Sequence, residues 1–163
     1  MNRRHLIRMT DAEIAAFLAE QRVLTCASIG PNGRPHLAPL WYVPAAPHLL
    51  SWTYAAAQKA RNLARLPQAT VQIETGHDYG DLRGVAMECD VELVTDPAAV
   101  RDIGLAMTLR YNDMPTGAAP PALVDMIPKQ AAKRVGLRFT PTRWVPICSR
   151  CKGKGRLSLL NLK

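Results

Sequence analysis

The sequence predicts a mainly β domain with peripheral α-helices, built as an antiparallel barrel. Three observations carry this. Short apolar strands follow one another through turn chemistry, most clearly at Gly30-Pro31-Asn32-Gly33. Helical spacing is confined to a few interposed segments. The elements run α-β-β-β-α-β-β-α-loop-β, without the βα alternation of a parallel sheet, and no internal repeat is visible.

Thr10-Asp11-Ala12-Glu13 has capping-box spacing, and Ile14, Phe17 and Leu18 follow at i, i+3, i+4, which predicts an amphipathic helix over 11–21. Residues 23–29 read as a strand. The Gly30–Gly33 turn follows, since Pro suits the first corner and Asn-Gly tolerates positive φ. A second strand over 35–43 completes the hairpin, and a turn over 44–48 leads to a third strand at 49–53. Residues 57–66 are helical and stop at Pro67, which cannot continue a helix. Residues 70–75 alternate as a half-buried strand does. In the longer run 82–94, Val85, Met87, Cys89, Val91 and Leu93 fall on one face. Asp96-Pro97 supplies an N-cap and a first-turn proline, and Val100, Ile103, Met107 and Tyr111 are spaced for the inner face of that helix. Residues 112–128 hold four prolines and a glycine and read as a loop with a short helical piece. The last strand covers 135–145.

At 163 residues, 48% hydrophobic and 21% charged, one globular domain can bury a core without disulfides. There is no run of 18 apolar residues and no signal-peptide apolar core, so the reading excludes membrane insertion and secretion and places the protein in the cytoplasm. A net charge of +8 raises nucleic acid or an anionic ligand as partner, and its distribution decides between them. Residues 21–73 contain five basic residues and no acid, whereas 74–102 sum to −6 and the last sixteen residues carry +5. Lys59, Arg61 and Arg65 fall within seven positions at the start of a helix that follows Ser51-Trp52-Thr53. A helix N-terminus with Thr53, Lys59 and Arg61 beside it suits a phosphate. The same triplet also suits a plain solvated helix face.

TCASIGPNGRPHLAPLWYV, then LLSWTYAAAQKARNLARLPQATVQIE and LRGVAMECDVELVTDP, resemble the split β-barrel flavin and deazaflavin oxidoreductases, relatives of pyridoxamine 5′-phosphate oxidase. The likeness covers about residues 10–145 and is strongest to the branch that uses the deazaflavin coenzyme F-420. It implies an FMN-binding split barrel that forms a homodimer with the coenzyme in a groove at the subunit interface. By resemblance, Pro39, Leu40 and Trp41 run beside the flat ring, and Thr53, Lys59, Arg61 and Asn62 surround the phosphate. The implied reaction is hydride transfer between F-420 and a small unsaturated or oxidised substrate. An FMN-dependent oxidase or reductase and a coenzyme carrier without turnover are the alternatives, because FMN relatives use comparable phosphate contacts. No acid or base stands out as catalytic, which fits chemistry carried by the coenzyme. His36 lies near the ring segment or is a solvated strand residue; Trp41 walls the ring or sits in the barrel core. Arg83 and Tyr79 are candidates to reach across a dimer.

Cys26 and Cys89 lie within strands and read as small buried apolar residues. Cys148-Ser-Arg-Cys151-Lys-Gly-Lys-Gly155 resembles one repeat of the zinc region of the DnaJ chaperones, but tetrahedral zinc needs four ligands and no second pair exists, so no metal site is expected. Residues 148–163 contain no alanine and depart from the Trp-rich, His-containing ending of the family. The expected division is therefore a coenzyme-binding domain over 1–147 and a basic tail over 148–163, which reads as foreign, frame-shifted or disordered sequence. Barrel function without nucleic acid or membrane partners is the expectation.

Overall fold

The computed structural model describes residues 9–115, 117 and 119–148. Helix α1 (Asp11–Glu20) precedes the hairpin of β1 (Val23–Ile29) and β2 (Pro35–Trp41). A short β3 (Val43–Ala45) pairs with β4 (His48–Tyr54), and α2 (Gln58–Arg65) leads to β5 (Gln68–Thr75). One 3-10 turn precedes the long β6 (Arg83–Val94). Helices α3 (Pro97–Tyr111) and α4 (Pro121–Ala131) come before the final β7 (Arg134–Cys148). The strands form one seven-stranded sheet in the order β2-β1-β5-β6-β7-β4-β3, with every pairing antiparallel. It curls into the expected split barrel.

Period-two alternation builds the interior. Leu24 and Cys26 of β1 face Leu40 and Ala38 of β2, and Val71, Ile73, Val85, Met87, Leu137 and Phe139 fill the remaining wall. Ile14, Phe17 and Leu18 of α1 and Leu63 of α2 join the same core. The capping box at Thr10 and Glu13 forms as expected, with Glu13 N–H donating to the Thr10 hydroxyl at 3.3 Å and Thr10 N–H to the Glu13 carboxylate at 2.7 Å. These bonds hold the Glu13 carboxyl below its ordinary pKa, the backbone bond from Thr10 contributing most. In the Gly30–Gly33 turn, Gly33 takes φ +76°, and Gly30 N–H donates to Arg34 O at 2.8 Å.

The structure corrects three expectations. The single strand over 35–43 is two strands, interrupted at Tyr42, and the two halves lie at opposite edges of the sheet. Tyr42 is wholly buried and turns the chain across the split. The segment read as a loop contains the eleven-residue α4. Pro121 sits in its first turn, where a missing N–H costs nothing, and Ile127 and Ala131 are buried. Pro128 deprives Val124 O of its helical partner, but both residues are exposed, so the loss falls on the solvent side of the helix. The last strand is longer than 135–145 and reaches Cys148, which pairs with Arg83. The tail from 149 onward, with Cys151, lies outside the described residues.

A second core forms on the outer side of β3 and β4. Val100, Ile103 and Met107 of α3 pack there with Val94 and Ala131, against Val43, Leu50 and Trp52. Gly104 makes this approach possible, because a Cβ at that position would lie 2.4 Å from Trp52 Cζ3. No helix among the described residues is long and apolar enough to cross a membrane. Gly104→Ala is expected to destabilise the fold by about 1–3 kcal/mol, since the indole is rigid and α3 has to shift. Thermal unfolding of the variant checks this, and an unchanged midpoint would contradict the packing described.

Candidate functional site

The residues singled out for the ring segment lie on an edge strand. Along β2, Leu40 points into the barrel, while Pro39 and Trp41 point outward and Trp41 is 55% exposed. Trp41 is therefore not a barrel-core residue. The same outward face carries Leu37, 66% exposed, and Val23, the hairpin partner of Trp41, 47% exposed. Ser51 of β4 is buried and donates its hydroxyl to Trp41 O at 2.7 Å, which ties the edge of β2 to β4 across the split. Thr53 follows two residues later, about 7 Å further along β4. It is buried on the same face of the strand as Ser51. The chain then turns through Ala55-Ala56-Ala57 into α2.

Helix α2 begins at Ala57 with no side-chain cap. Alanine at this position leaves the first-turn N–H groups without the partner that Ser, Thr, Asp or Asn would supply. Lys59 is half-buried and Arg61 exposed. Asn62 is wholly buried, with its amide donating to Ser28 Oγ at 3.1 Å and accepting from Gln58 Nε2 at 2.8 Å. It thus fastens α2 to β1 rather than facing solvent. Arg65 donates to Ile29 O at 2.5 Å, which removes it from the anion cluster. His36 stands opposite Ser28 in the hairpin register, and its Nδ1 is buried without a protein partner. Arg83 is held within its own chain by Glu20, at 3.1 Å, and by the face of Phe17.

Spacing in the sequence singled out neither Ser28 nor Ser51 for the site, and it gave Tyr111 only a place on the inner face of α3. The Tyr111 ring stacks on Trp41, centroid to centroid 4.1 Å and 7° from parallel. Its hydroxyl accepts from Tyr42 N–H at 2.9 Å and donates to Arg22 O. The Arg22 guanidinium lies 5.8 Å from its centroid and is paired with Asp113. Burial raises the Tyr111 pKa, with the nearby Tyr42 backbone bond and the Arg110 and Arg22 charges opposing it.

Two thiols lie inside the barrel. Burial pushes Cys26 up to about 11, with Lys59 opposing it, and Cys89 up to about 12, with Cys26 and Asp90 adding to the rise. Among the described residues no group of three or more His, Cys, Asp or Glu could hold a metal ion. A cleft of about 980 Å³ lies between α1, the β3–β4 turn and β7 and is lined by none of the residues expected to hold a coenzyme. Of those residues, Pro39, Trp41 and Arg61 are exposed, Lys59 is half-buried, and Leu40, Thr53 and Asn62 are buried.

Residues 10–148 match the family model described as pyridoxamine 5′-phosphate oxidase. No curated protein matches the chain. Among solved structures, a conserved hypothetical protein of Mycobacterium tuberculosis is 35% identical, with a TM-score of 0.84 over 98% of this chain and 97% of that one. An F-420 reductase is 22% identical with a TM-score of 0.61, over 80% and 94% of the two chains. The heme storage protein HutZ of Vibrio cholerae is 17% identical with a TM-score of 0.66, over 86% and 97%. The last two likenesses show the fold alone.

Cys26 and Cys89 are expected to be inert in the native protein at pH 8, because they are buried and held as thiols. In a Cys148→Ser, Cys151→Ser background, a chromogenic disulfide reagent should find no reactive thiol until the chain is unfolded. Because the folded pKa values are raised, these thiols stabilise the fold fully below about pH 9. That contribution is lost as pH rises through about 11 for Cys26. A native thiol titrating near pH 9 would contradict this burial.

Proposed function

The chain belongs to the pyridoxamine 5′-phosphate oxidase family, which includes oxidoreductases that bind flavin-type coenzymes, and we propose that it is a homodimeric oxidoreductase that binds the deazaflavin coenzyme F-420. The reaction is hydride transfer between that coenzyme and a small unsaturated or oxidised substrate. One observation supports this reading: the Ser51 hydroxyl bonds Trp41 O, so the exposed end of β2 lies beside the strand that leads through Thr53 into the uncapped start of α2. A coenzyme that joins a planar ring to a phosphate through a short linker fits that pairing.

The residues present suit such a group. The Ala55-Ala56-Ala57 turn has no bulky side chain to hold an anion away from the α2 N-terminus, and the dipole, the free N–H groups and Lys59 all favour negative charge there. Arg61 adds a solvated cation at the rim. Thr53 lines the approach, and Asn62 holds α2 at its height above β1 through Ser28. The unpaired edge of β2 offers backbone donors and acceptors to the polar rim of a ring, and Pro39 and Trp41 provide its apolar contact. When bound, the coenzyme supplies the hydride; the chain contributes orientation and exclusion of water. The proton comes from water or a nearby side chain, and no acid or base is assigned to that step.

The dimer is supported by the exposed apolar face of Leu37, Trp41 and Val23, which a partner's surface would cover. In this reading the groove between copies holds the coenzyme, and the resemblance of the chain's own sequence segments to the F-420 branch is what favours the deazaflavin over FMN.

Calorimetric titration with purified F-420, and with FMN in a parallel arm, tests the reading. Binding of F-420 is expected, and Lys59→Ala should weaken it about ten- to hundredfold, the range for losing one charge-assisted bond. Failure of both coenzymes at tens of micromolar overturns the proposal, whereas a yellow protein that binds FMN alone reassigns the coenzyme. In sedimentation, Leu37→Glu is expected to convert the dimer to monomer with the fold intact.

A further inference from the structure

The surface of the ring segment is not made by β2 alone. Trp41 is an outward residue at the end of an edge strand, a position where an indole ordinarily samples several rotamers. Here one of its faces is covered by Tyr111, nearly parallel at 4.1 Å. Tyr111 is itself locked. Its hydroxyl uses both capacities, on Tyr42 N–H and Arg22 O, and its ring lies against the Arg22 guanidinium, which Asp113 anchors from the residues after α3. Trp41, Tyr111 and Arg22 therefore form three tiers, with the free side of the stack on Trp41. The 55% exposure of Trp41 in spite of the covered face means that its other face and edge are open.

We propose that Tyr111 is the positioning residue of the ring site, holding the Trp41 indole flat so that its open face stacks on the planar ring of the coenzyme. The proposal rests on the functional reading above. Its physical basis is preorganisation: a fixed indole gives up no rotamer freedom when a ring binds, and each added π-face brings its own stacking energy. It also makes α3, and not only the barrel strands, a determinant of which ring is accepted.

The test uses the full chain and the coenzyme that the wild type binds, F-420 or FMN, with calorimetry and the induced circular dichroism of the bound ring as readouts. Tyr111→Leu removes the tier and is expected to weaken binding about tenfold and to reduce or alter the induced signal. Tyr111→Phe keeps the ring and should restore affinity to within about threefold of wild type. Inorganic phosphate, titrated at the α2 end, should bind both variants as it binds wild type, which a general loss of structure would not allow. If Tyr111→Leu does not fold, Tyr111→Met refills the volume without a π-face and carries the same expectation. Wild-type affinity and an unchanged induced signal in the non-aromatic variant overturn this inference and leave the functional reading standing. Absence of binding of either coenzyme by the wild type overturns both.

Discussion

A sheet whose first two hairpins occupy opposite edges needs something to carry the chain across the gap and keep the gap closed, and in this protein that crossing is made at Tyr42. Its side chain is wholly buried and donates its hydroxyl to Leu18 O at 2.8 Å, while its backbone N–H is satisfied by Tyr111. The Arg110 guanidinium lies 5.5 Å from the Tyr42 centroid and donates to the carbonyls of Leu18, Ala19 and Gln21 at 3.2, 2.9 and 2.6 Å. Helix α1 has no basic residue in its last turn, so Arg110 supplies from α3 the charge that its carbonyl end favours. One buried tyrosine and one arginine thus join α1, the β2–β3 crossing and α3. Hydrogen bonds to a charged group are worth about 1.5–3 kcal/mol each, so this part-buried junction outweighs an exposed ion pair such as Arg143–Glu88.

The ends of the molecule follow from the same division of labour. Asn62 and Arg110 each spend hydrogen-bonding capacity fixing a helix to its neighbour: Asn62 ties α2 to β1 through Ser28, and Arg110 ties α3 to the carbonyl end of α1. Both residues are polar because backbone groups on separate elements that do not form a ladder need a side chain to bridge them. That leaves the cations that are not so employed, Lys59 and Arg61, free to meet a ligand, while Arg65 is tied to Ile29 O. A run of three basic residues on one helix therefore divides into one structural cation and two available ones.

This division marks where the sequence could be read and where it could not. Alternation along β6 and the i, i+3, i+4 spacing of α1 are local patterns, and each recovered the correct inner face: Val85, Met87, Cys89 and Val91 are buried, and so are Ile14, Phe17 and Leu18. The break at Tyr42 was invisible because Trp41-Tyr42-Val43 has the composition of continuous strand; what ends β2 is a hydroxyl bond to a helix 24 residues earlier. Helix α4 was hidden by its prolines, which are tolerated because Pro121 stands in the first turn and Pro128 on the solvent side. On α2, spacing grouped Lys59 with Arg61, but Asn62, expected at a phosphate by resemblance, is buried against Ser28, and the Ser51 bond to Trp41 and the Tyr111 stack join residues that only the tertiary fold brings together. No periodicity encodes a contact across 70 residues.

The split itself explains why such a barrel should carry a site at all. Full closure would pair the edge of β2 and bury Pro39 and Trp41; leaving it open exposes unpaired backbone and a run of apolar side chains, which is a liability for a free protein. The Ser51 hydroxyl satisfies Trp41 O but cannot replace a ladder, so the rest of that edge keeps its hydrogen-bonding capacity. A planar ligand with a polar rim answers both needs at once, since its rim pairs with the edge and its face covers the indole. In the proposed reading, the uncapped α2 N-terminus beyond Thr53 would set the polarity of that ligand, apolar ring toward Trp41 and anion toward Lys59. Such a ligand would be an elongated, one-ended anion rather than a compact one, because the open edge and the helix start lie at successive points along β2, β4 and α2.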